Sequence, residues 1–263
     1  RAAFLLPQDA SDPEEHARCR FPARFSLMRR AFAWTESDLS RVACPELEVH
    51  QAALAQSKVS VVFASYYIGN PASAFGHVLL SFAEDPAAAL RGHSVSFEAG
   101  TEGLSTFGYV RRGLLGGLHA GYHIAPLYER AGRYERQELR DLWVFPLRLS
   151  EDEVLQVARH FWELKDVRYE YGFFQHNCAQ KVLALVHAAA HHHGLMPYSA
   201  PAVLPSEVVR RLVEKVGVES AILRRPSLLE QYESKLAALS AQERVQLKAM
   251  IADRSVVPSA SVA

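Results

Sequence analysis

The stretch at residues 175–186, "QHNCAQKVLALV", places a cysteine at the start of an apolar helical pattern. From Ala179 to Val186 the apolar residues recur at the spacing of one helix face, so we predict a helix that begins at Cys178. Asn177 is the predicted N-cap, since its side-chain oxygen can accept a hydrogen bond from a first-turn amide. The partial positive charge of a helix start lowers the pKa of a thiol. Cys178 is therefore a candidate nucleophile, and the first-turn amides are candidates to hold an oxyanion.

A nucleophilic thiol needs a base, and the 12 histidines of the chain make any single histidine weak support. His77 has the most informative surroundings, because it opens the apolar segment "HVLLSF" directly after the loop-like "NPASAFG". A loop of this kind can deliver a histidine to the edge of a sheet, and Gly76 leaves room beside it. His77 is the candidate base, and the alternative is an ordinary strand histidine.

Four segments rich in β-branched and aromatic residues are predicted strands. They lie at residues 58–68, 77–82, 93–99 and 141–149. Turn residues separate the first three, which predicts an antiparallel meander. Helices are predicted at 26–34, at 35–43, after the capping box of Ser150 and Glu153, and over much of the chain beyond residue 200. The run at 167–176 is predicted to be extended and the tail at 255–263 to be loose.

The composition limits the classes of protein to which the chain can belong. The chain has 263 residues with 29 basic and 29 acidic side chains, and this balance argues against a dedicated nucleic-acid binder. No run approaches the roughly 18 apolar residues of a membrane span. The chain begins without Met and without the features of a signal peptide, as expected of a mature or trimmed sequence.

The three cysteines divide into a candidate pair and a free thiol. Cys19 and Cys44 are predicted to form a disulfide, which would stabilise the fold by about 3 kcal/mol and indicate an oxidising compartment. The alternative is two reduced, buried thiols. Cys178 is then the unpaired cysteine.

Three further features carry two interpretations each. The segment 100–123 contains seven glycines and is predicted to be flexible or to make close backbone approaches. Its part at 109–123 is either a lid or lipid-facing loop, or a plain surface loop. Its candidate lipid-facing residues are Arg111, Arg112, Leu114 and Leu115. Tyr171 is either an oxyanion donor or a core aromatic. The histidines between His187 and His193 are interpreted as solvated helix-end residues, with incidental metal binding left open, and no metal or cofactor is expected.

Several motifs together resemble one family. "NPASAFGHVLLSF" at 70–82 and "FFQHNCAQKVLAL" at 173–185 are similar to the Lnb N-terminal periplasmic domain family. The likeness extends to residues 19–25, 140–150, 168–174, 204–212 and 224–232. The order of histidine before cysteine, with the cysteine opening a helix, also resembles circularly permuted papain-like enzymes, which include the lecithin:retinol acyltransferase-like group and are related to NlpC-type peptidases.

The resemblance implies an α+β fold with a circularly permuted papain-like (NlpC-type) core, an antiparallel sheet, a nucleophile helix and a helical C-terminal part. The expected division is an extension at 1–55 with the disulfide, a catalytic core at 56–200, and a helical segment at 201–263 packed on the core. His77 and Cys178 match the catalytic pair. His93, Ser96 and Glu98 are the candidates to orient the base, and a second histidine in the lecithin:retinol acyltransferase-like group favours His93.

The resemblance also implies an activity: transfer of an acyl chain from a phospholipid, through a thioester on Cys178, to the N-terminal amine of a lipoprotein or another amine. The membrane surface is then a partner and nucleic acid is not. The expected location is the periplasm, at the outer face of the inner membrane, with an anchor outside this chain. The alternatives are a cysteine hydrolase of peptidoglycan peptides or lipids, and a non-catalytic binding module.

Overall fold

The structure is a computed structural model that describes residues 2–7, 13–54, 56–69, 73–100, 103–196 and 201–253. Residues 70–72 of the predicted loop lie outside the described residues, as do Pro197 and the predicted loose tail.

Seven strands are present in this described part of the chain. They are β1 Lys58–Ala64, β2 His77–Ala83, β3 His93–Ala99, β4 Leu118–Pro126, β5 Leu142–Pro146, β6 Tyr169–Tyr171 and β7 Leu223–Arg225. The α-helices are α1 Ala17–Arg20, α2 Pro22–Ala31, α3 Pro45–Leu54, α4 Thr106–Leu115, α5 Leu127–Gly132, α6 Glu151–Leu164, α7 Cys178–Ala189, α8 Pro205–Lys215, α9 Leu228–Ala238 and α10 Ala241–Ala252.

The strands form one antiparallel sheet in the order β6-β4-β3-β2-β1-β5-β7. The predicted meander of β1, β2 and β3 is confirmed. The strand predicted at 141–149 is also present, and it is β5, the fifth strand along the chain. The α+β class is confirmed as well.

The glycine-rich segment was wrongly predicted to form a loop at 109–123, whereas a close approach is present at Gly113, where a Cβ would lie 2.3 Å from the Phe173 ring. The segment forms α4, whose N-cap Ser105 accepts a hydrogen bond from the Gly108 amide, and then β4. In β4, Leu118, Ala120 and Tyr122 are buried while His119 and His123 are exposed. This period-two alternation is typical of a strand, but the glycines among these residues concealed it.

Of the two helices predicted near the N-terminus, the one at 26–34 overlaps α2 and the other differs from the structure. The predicted helix at 35–43 is a single 3-10 turn, Glu36–Asp38, closed by a capping box with Thr35. A helix follows it at α3, which begins at Pro45. Pro at the first helical position has a fixed φ that suits a helix start, and this signal marked the true element.

The sheet has a different core on each face. One face packs against α6, α7 and α8 through residues such as Val157, Leu183 and Val208. The other packs Val62 and Leu79 against α5 and the turn that follows it. Because side chains alternate along a strand, neighbouring residues of β2 point into different cores.

The N-terminal region docks on α6. The disulfide between Cys19 and Cys44 is present, with Cα atoms 5.3 Å apart, and it packs against Trp162. The Trp162 indole donates to the Cys19 carbonyl at 2.8 Å, and the Gln156 amide donates to the Ala23 carbonyl at 3.2 Å.

The C-terminal helices differ in burial. Val208, Val209 and Leu212 of α8 belong to the main core. No residue of α9 or α10 is buried, so these two helices lie on the surface. The division of the chain at residues 55 and 200 stays a prediction.

Candidate functional site

The start of α7 is held by Asn177, as predicted. Its Oδ1 atom accepts a hydrogen bond from the Gln180 amide at 3.0 Å. Its Nδ2 atom donates to the carbonyls of Phe173 at 3.0 Å and Val203 at 2.8 Å. Asn177 is buried, so these three bonds fix both the helix start and the segment before it.

The Cys178 thiol is free and only 2% exposed. Burial raises its pKa to about 11, although the backbone N–H groups of Val78 and Ala179 point at the sulfur and act in the opposite direction. The lowered pKa expected from the helix start is therefore wrong for this structure. Desolvation of the thiolate is the largest effect, and it outweighs the backbone N–H groups and the Arg140 guanidinium, which favour the charged form.

His77 is the first residue of β2, and the glycine before it determines how the chain enters the strand. Gly76 has φ +92°, which L side chains rarely adopt, and a Cβ there would lie 2.5 Å from the Phe63 ring. The backbone conformation therefore requires glycine at position 76, which is the residue that was predicted to leave room beside His77.

A chain of polar contacts leads away from the imidazole. His77 Nε2 lies 3.0 Å from Ser96 Oγ, and the Ser96 hydroxyl donates to Glu98 Oε1 at 2.9 Å. Arg130 forms a short ion pair with the same carboxylate oxygen. Because the single hydroxyl proton of Ser96 goes to Glu98, the serine oxygen must accept from Nε2–H of His77. Nδ1 of His77 is then the unprotonated, basic nitrogen.

The charge state of His77 follows from its burial. Burial lowers its pKa to about 4, the Glu98 carboxylate opposes this change, and the guanidinium groups of Arg140, Arg130 and Arg133 reinforce it. The imidazole is therefore neutral at neutral pH. The same surroundings lower the pKa of Glu98, chiefly through Arg130 acting against burial.

The Cys178 thiol and the His77 imidazole lie on opposite faces of the sheet at the start of β2, a place that we call the notch. His77 pairs with Ala64 and shares a face with Ser96, whereas Cys178 belongs to the core on the other face. The ladder between β2 and β3 runs from Leu80 to Phe82, so the start of β2 extends beyond it. The Val78 amide, which points at the sulfur, lies in this notch.

A cleft of about 240 Å³ opens at the notch. It is lined by Ser73, His77, Phe97, Glu98, Ala99, Tyr109, Arg133, Tyr134, Glu138 and Tyr171. Tyr109 and Tyr171 interact electrostatically with Cys178, and burial raises the pKa of both phenols, to about 12 for Tyr109. These hydroxyl groups stay protonated and are available as donors beside the sulfur.

Some predicted residues are not part of this group. His93 lies at the other end of β3, opposite Phe82, and is exposed. The structure brings Ser96 and Glu98, not His93, to the histidine. Arg111, Arg112, Leu114 and Leu115 are exposed on α4, and the same helix presents Tyr109 to the cleft.

Among the site residues missed from the sequence, Tyr109, Arg133 and Tyr134 line the cleft, and Arg130 pairs with Glu98. The last three lie in α5 and in the single π-helical turn Arg133–Gln137 that follows it. Their segment is highly charged and resembles a solvated surface run. A π-turn is frequent at functional sites, but no sequence pattern announces it.

The described residues thus define an α+β domain with a buried free thiol at a helix N-terminus, next to a polar cleft that holds a neutral histidine. A family model described as the Lnb N-terminal periplasmic domain matches residues 46–215. The match covers more than half of the chain, so the chain belongs to this family and is a periplasmic domain.

The resemblance noted from the sequence is confirmed by this match. A search of curated proteins found no match, and a search of solved structures found none either. Among the described residues, no helix combines the length and the apolar character needed to cross a membrane.

Proposed function

We propose that this domain transfers acyl chains through a thioester on Cys178, from a phospholipid to the N-terminal amine of a lipoprotein. The observation that supports the proposal is that the free thiol of Cys178 and the His77–Ser96–Glu98 chain both lie at the start of β2. A helix that begins at the thiol and packs on an antiparallel sheet is also the arrangement expected of a circularly permuted papain-like core. That assignment is part of the proposal.

The chemistry assigns one role to each group. The Cys178 sulfur attacks the ester carbonyl, its proton moves to Nδ1 of His77, and the imidazolium returns it to the departing glycerol oxygen as the C–O bond breaks. An amine then attacks the thioester and releases the thiol. Ser96 and Glu98 position the imidazole, and the proposal requires Nδ1 to reach the sulfur across the notch.

The two pKa values determine when the proton moves. The raised pKa of the thiol and the lowered pKa of the imidazole both disfavour a resting thiolate–imidazolium pair. Proton transfer accompanies attack on the carbonyl, as it does for a serine nucleophile.

Support for a lipid substrate comes from exposed apolar side chains beside the cleft. Phe75, Phe107, Leu114, Leu115 and Phe174 form what we call the apolar collar. Phe107 is 77% and Leu115 is 80% exposed, both on α4.

Contacts place the collar next to the cleft. The Phe174 ring lies 6.4 Å from the Phe75 ring, and the Phe173 amide donates to the Gly113 carbonyl of α4 at 3.0 Å. Exposed apolar residues with nearby arginines suit a membrane surface with phosphate head groups, and Arg111 and Arg112 supply that charge.

A cysteine hydrolase is the second candidate, and the cleft itself favours it. His77, Glu98, Arg133 and Glu138 make the lining strongly polar, which suits a peptidoglycan peptide better than an acyl chain. The acyl-enzyme step is shared, and water replaces the amine as the acceptor. The raised thiol pKa favours a third candidate, a non-catalytic binding module, because buried thiols without activation are inert.

One experiment separates the three. The protein is mixed with phosphatidylethanolamine–phosphatidylglycerol vesicles, with or without a synthetic diacylglyceryl peptide that has a free N-terminal amine. Intact mass is expected to show one acyl chain on the protein but not on Cys178→Ser, and acyl transfer to the peptide. Release of fatty acid at the same rate without peptide would indicate a lipase. Cleavage of a peptidoglycan peptide would indicate a peptidase. No adduct and no product with any substrate would overturn the proposal.

Two buried serines on β3 give a matched pair for the positioning role. Ser96 links His77 to Glu98, whereas Ser94 donates only to the Ala125 carbonyl at 2.9 Å. We expect Ser96→Ala to slow thioester formation roughly 100-fold, Ser96→Thr to restore much of the rate, and Ser94→Ala to leave it near wild type. Equal losses for both alanine variants would show that Ser96 acts only through packing.

A further inference from the structure

Far from the cleft, the structure brings a carboxylate against two histidines that follow α7. Glu153 Oε1 lies 3.2 Å from His193 Nε2 and 3.5 Å from His192 Nε2. These three atoms all lie within 4.8 Å of one another. Glu153 is distant from these histidines in the chain and comes from the first turn of α6.

The two carboxylate oxygens of Glu153 make different contacts. Oε2 completes the capping box of α6, accepting from the Ser150 amide and hydroxyl at 2.8 Å each. Oε1 is left over and faces the histidines. Within the described residues, neither Glu153 Oε1 nor His193 Nε2 has a hydrogen-bond partner, although both atoms are buried.

The approach of His193 to Glu153 does not have the geometry of a hydrogen bond, despite the 3.2 Å distance. A ring N–H that does not point at the oxygen gains little from it. A cation bound to both atoms would compensate for their burial.

The second ring nitrogen of His193 supports the same conclusion. Nδ1 lies 3.2 Å from the Lys215 carbonyl at the end of α8, and a carbonyl can only accept. Nδ1 therefore carries a proton, and in the neutral tautomer Nε2 has a free lone pair with which it can bind a cation. Histidines that bind metals commonly have this arrangement, in which a backbone carbonyl holds the other ring nitrogen.

The distances suit a small divalent cation. Ligand bonds of about 2.0–2.1 Å at tetrahedral angles put neighbouring ligand atoms about 3.3 Å apart. The observed separations of 3.2 and 3.5 Å bracket that value. Two imidazoles and one carboxylate are a common ligand set for zinc, and His192, which is 63% exposed on its side chain, leaves the remaining position open to water.

We propose that Glu153, His192 and His193 form a binding site for Zn²⁺ or a similar first-row divalent cation. The ion would tie the start of α6 to the turn after α7, and through His193 to the end of α8. The site is separated from Cys178 by the length of α7, about 18 Å at 1.5 Å per residue. It is independent of the proposed acyl transfer and acts on stability.

The test uses untagged protein that has been treated with a chelator and dialysed. Zinc chloride is titrated in by calorimetry, and thermal unfolding is followed with and without zinc. We expect one ion per chain. Zinc at 100 times its dissociation constant should raise the folded-to-unfolded ratio about 100-fold.

Variants identify the ligands. His193→Ala, His192→Ala and Glu153→Gln are each expected to weaken zinc binding at least tenfold and to remove the zinc-dependent rise in Tm. Gln at position 153 can still accept the capping-box hydrogen bond, so the helix start is preserved. His191→Ala is the matched control, because His191 is an exposed histidine of the same turn outside the cluster, and it should bind like the wild type.

Three results would overturn the site. The first is a wild-type chain that neither binds zinc nor gains stability from it. The second is a His191→Ala variant that loses as much affinity as His193→Ala, which indicates adventitious binding by surface histidines. The third is unchanged binding by Glu153→Gln.

Discussion

At the residue scale, burial and the charged or polar groups nearby have opposite effects on the pKa values of the candidate site. Cys178 has an N-terminal position on α7 and two amides directed at its sulfur, yet its pKa is raised to about 11. His77 has a carboxylate connected through Ser96, yet its pKa is lowered to about 4. In both groups desolvation of the charged form is the largest effect, so each is neutral at physiological pH.

The thiol is therefore expected to be slow to alkylate. With a pKa of about 11, its thiolate fraction at neutral pH is roughly 100-fold below that of an ordinary cysteine. The iodoacetamide rate should rise about tenfold per pH unit through pH 9 and beyond, and His77→Ala should change it little. The urea-unfolded chain is the control and should titrate near pH ~8.5. A rate that levels off below pH 7 and depends on His77 would contradict the neutral pair and reveal a resting thiolate.

Burial of neutral His77 also predicts a loss of stability in acid. The pKa of His77 is about 4 when folded and 6.5 ordinarily, so below pH 6.5 the unfolded chain binds a proton that the folded chain does not. Stability that is present above pH 6.5 falls as the pH approaches 4, by up to about 3 kcal/mol. Burial also lowers the pKa of His50 and His160, so the wild type must be compared with His77→Gln.

Urea unfolding at several pH values measures this contribution. The difference in unfolding free energy between the wild type and His77→Gln should change with pH between 6.5 and 4 and be constant above that window. Parallel curves for the two proteins throughout would show that His77 titrates normally in the folded state.

At the element scale, the start of α7 depends on one side chain. Asn177→Ala removes the N-cap, which costs about 1 kcal/mol, and strands the buried carbonyls of Phe173 and Val203, which adds about 1–3 kcal/mol. We expect a total loss of roughly 2–4 kcal/mol in the free energy of unfolding.

A second N-cap is the control for this prediction. Ser240 caps α10, where no residue is buried, so Ser240→Ala removes a similar cap without stranding buried groups. Its cost in global stability should be below about 1 kcal/mol. Denaturant titration of both variants measures the two losses in unfolding free energy. Equal losses for Ser240→Ala and Asn177→Ala would show that burial of the cap is irrelevant.

At the scale of the whole molecule, the disulfide closes the N-terminal region into a loop that packs on α6. The bridge between Cys19 and Cys44 spans a sequence separation of 25 and packs on Trp162. Its removal in Cys19→Ala/Cys44→Ala is expected to destabilise the chain by about 3 kcal/mol, mainly because the unfolded chain gains freedom. Thermal unfolding with and without reductant gives the same comparison in the wild type.

Thiol counting provides the control for that prediction. The unfolded, non-reduced wild type should expose one reactive thiol, and the reduced chain should expose three. A stability that is unchanged by reduction, with all thiols then accessible, would show that the bridge contributes nothing.

The amino-acid sequence by itself determined the local elements and the family. The spacing of apolar residues after Cys178, the Ser150–Glu153 capping box and the alternation of β1 to β3 are short-range patterns, and each produced its element. The disulfide and the family resemblance were predicted as well. The glycines of β4 and the π-turn were not, because their patterns are masked or have no sequence signature.

Only the tertiary structure decided the electrostatics and the long-range contacts. The helix start of Cys178 can be recognised in the sequence, but its desolvation depends on how α7 packs on the sheet. Ser96 rather than His93 meets His77 because the strand register puts it there. Glu153 meets His193 because α6 and α7 pack side by side. Periodicity and caps are local properties of the chain, whereas burial and proximity arise only when distant segments pack together.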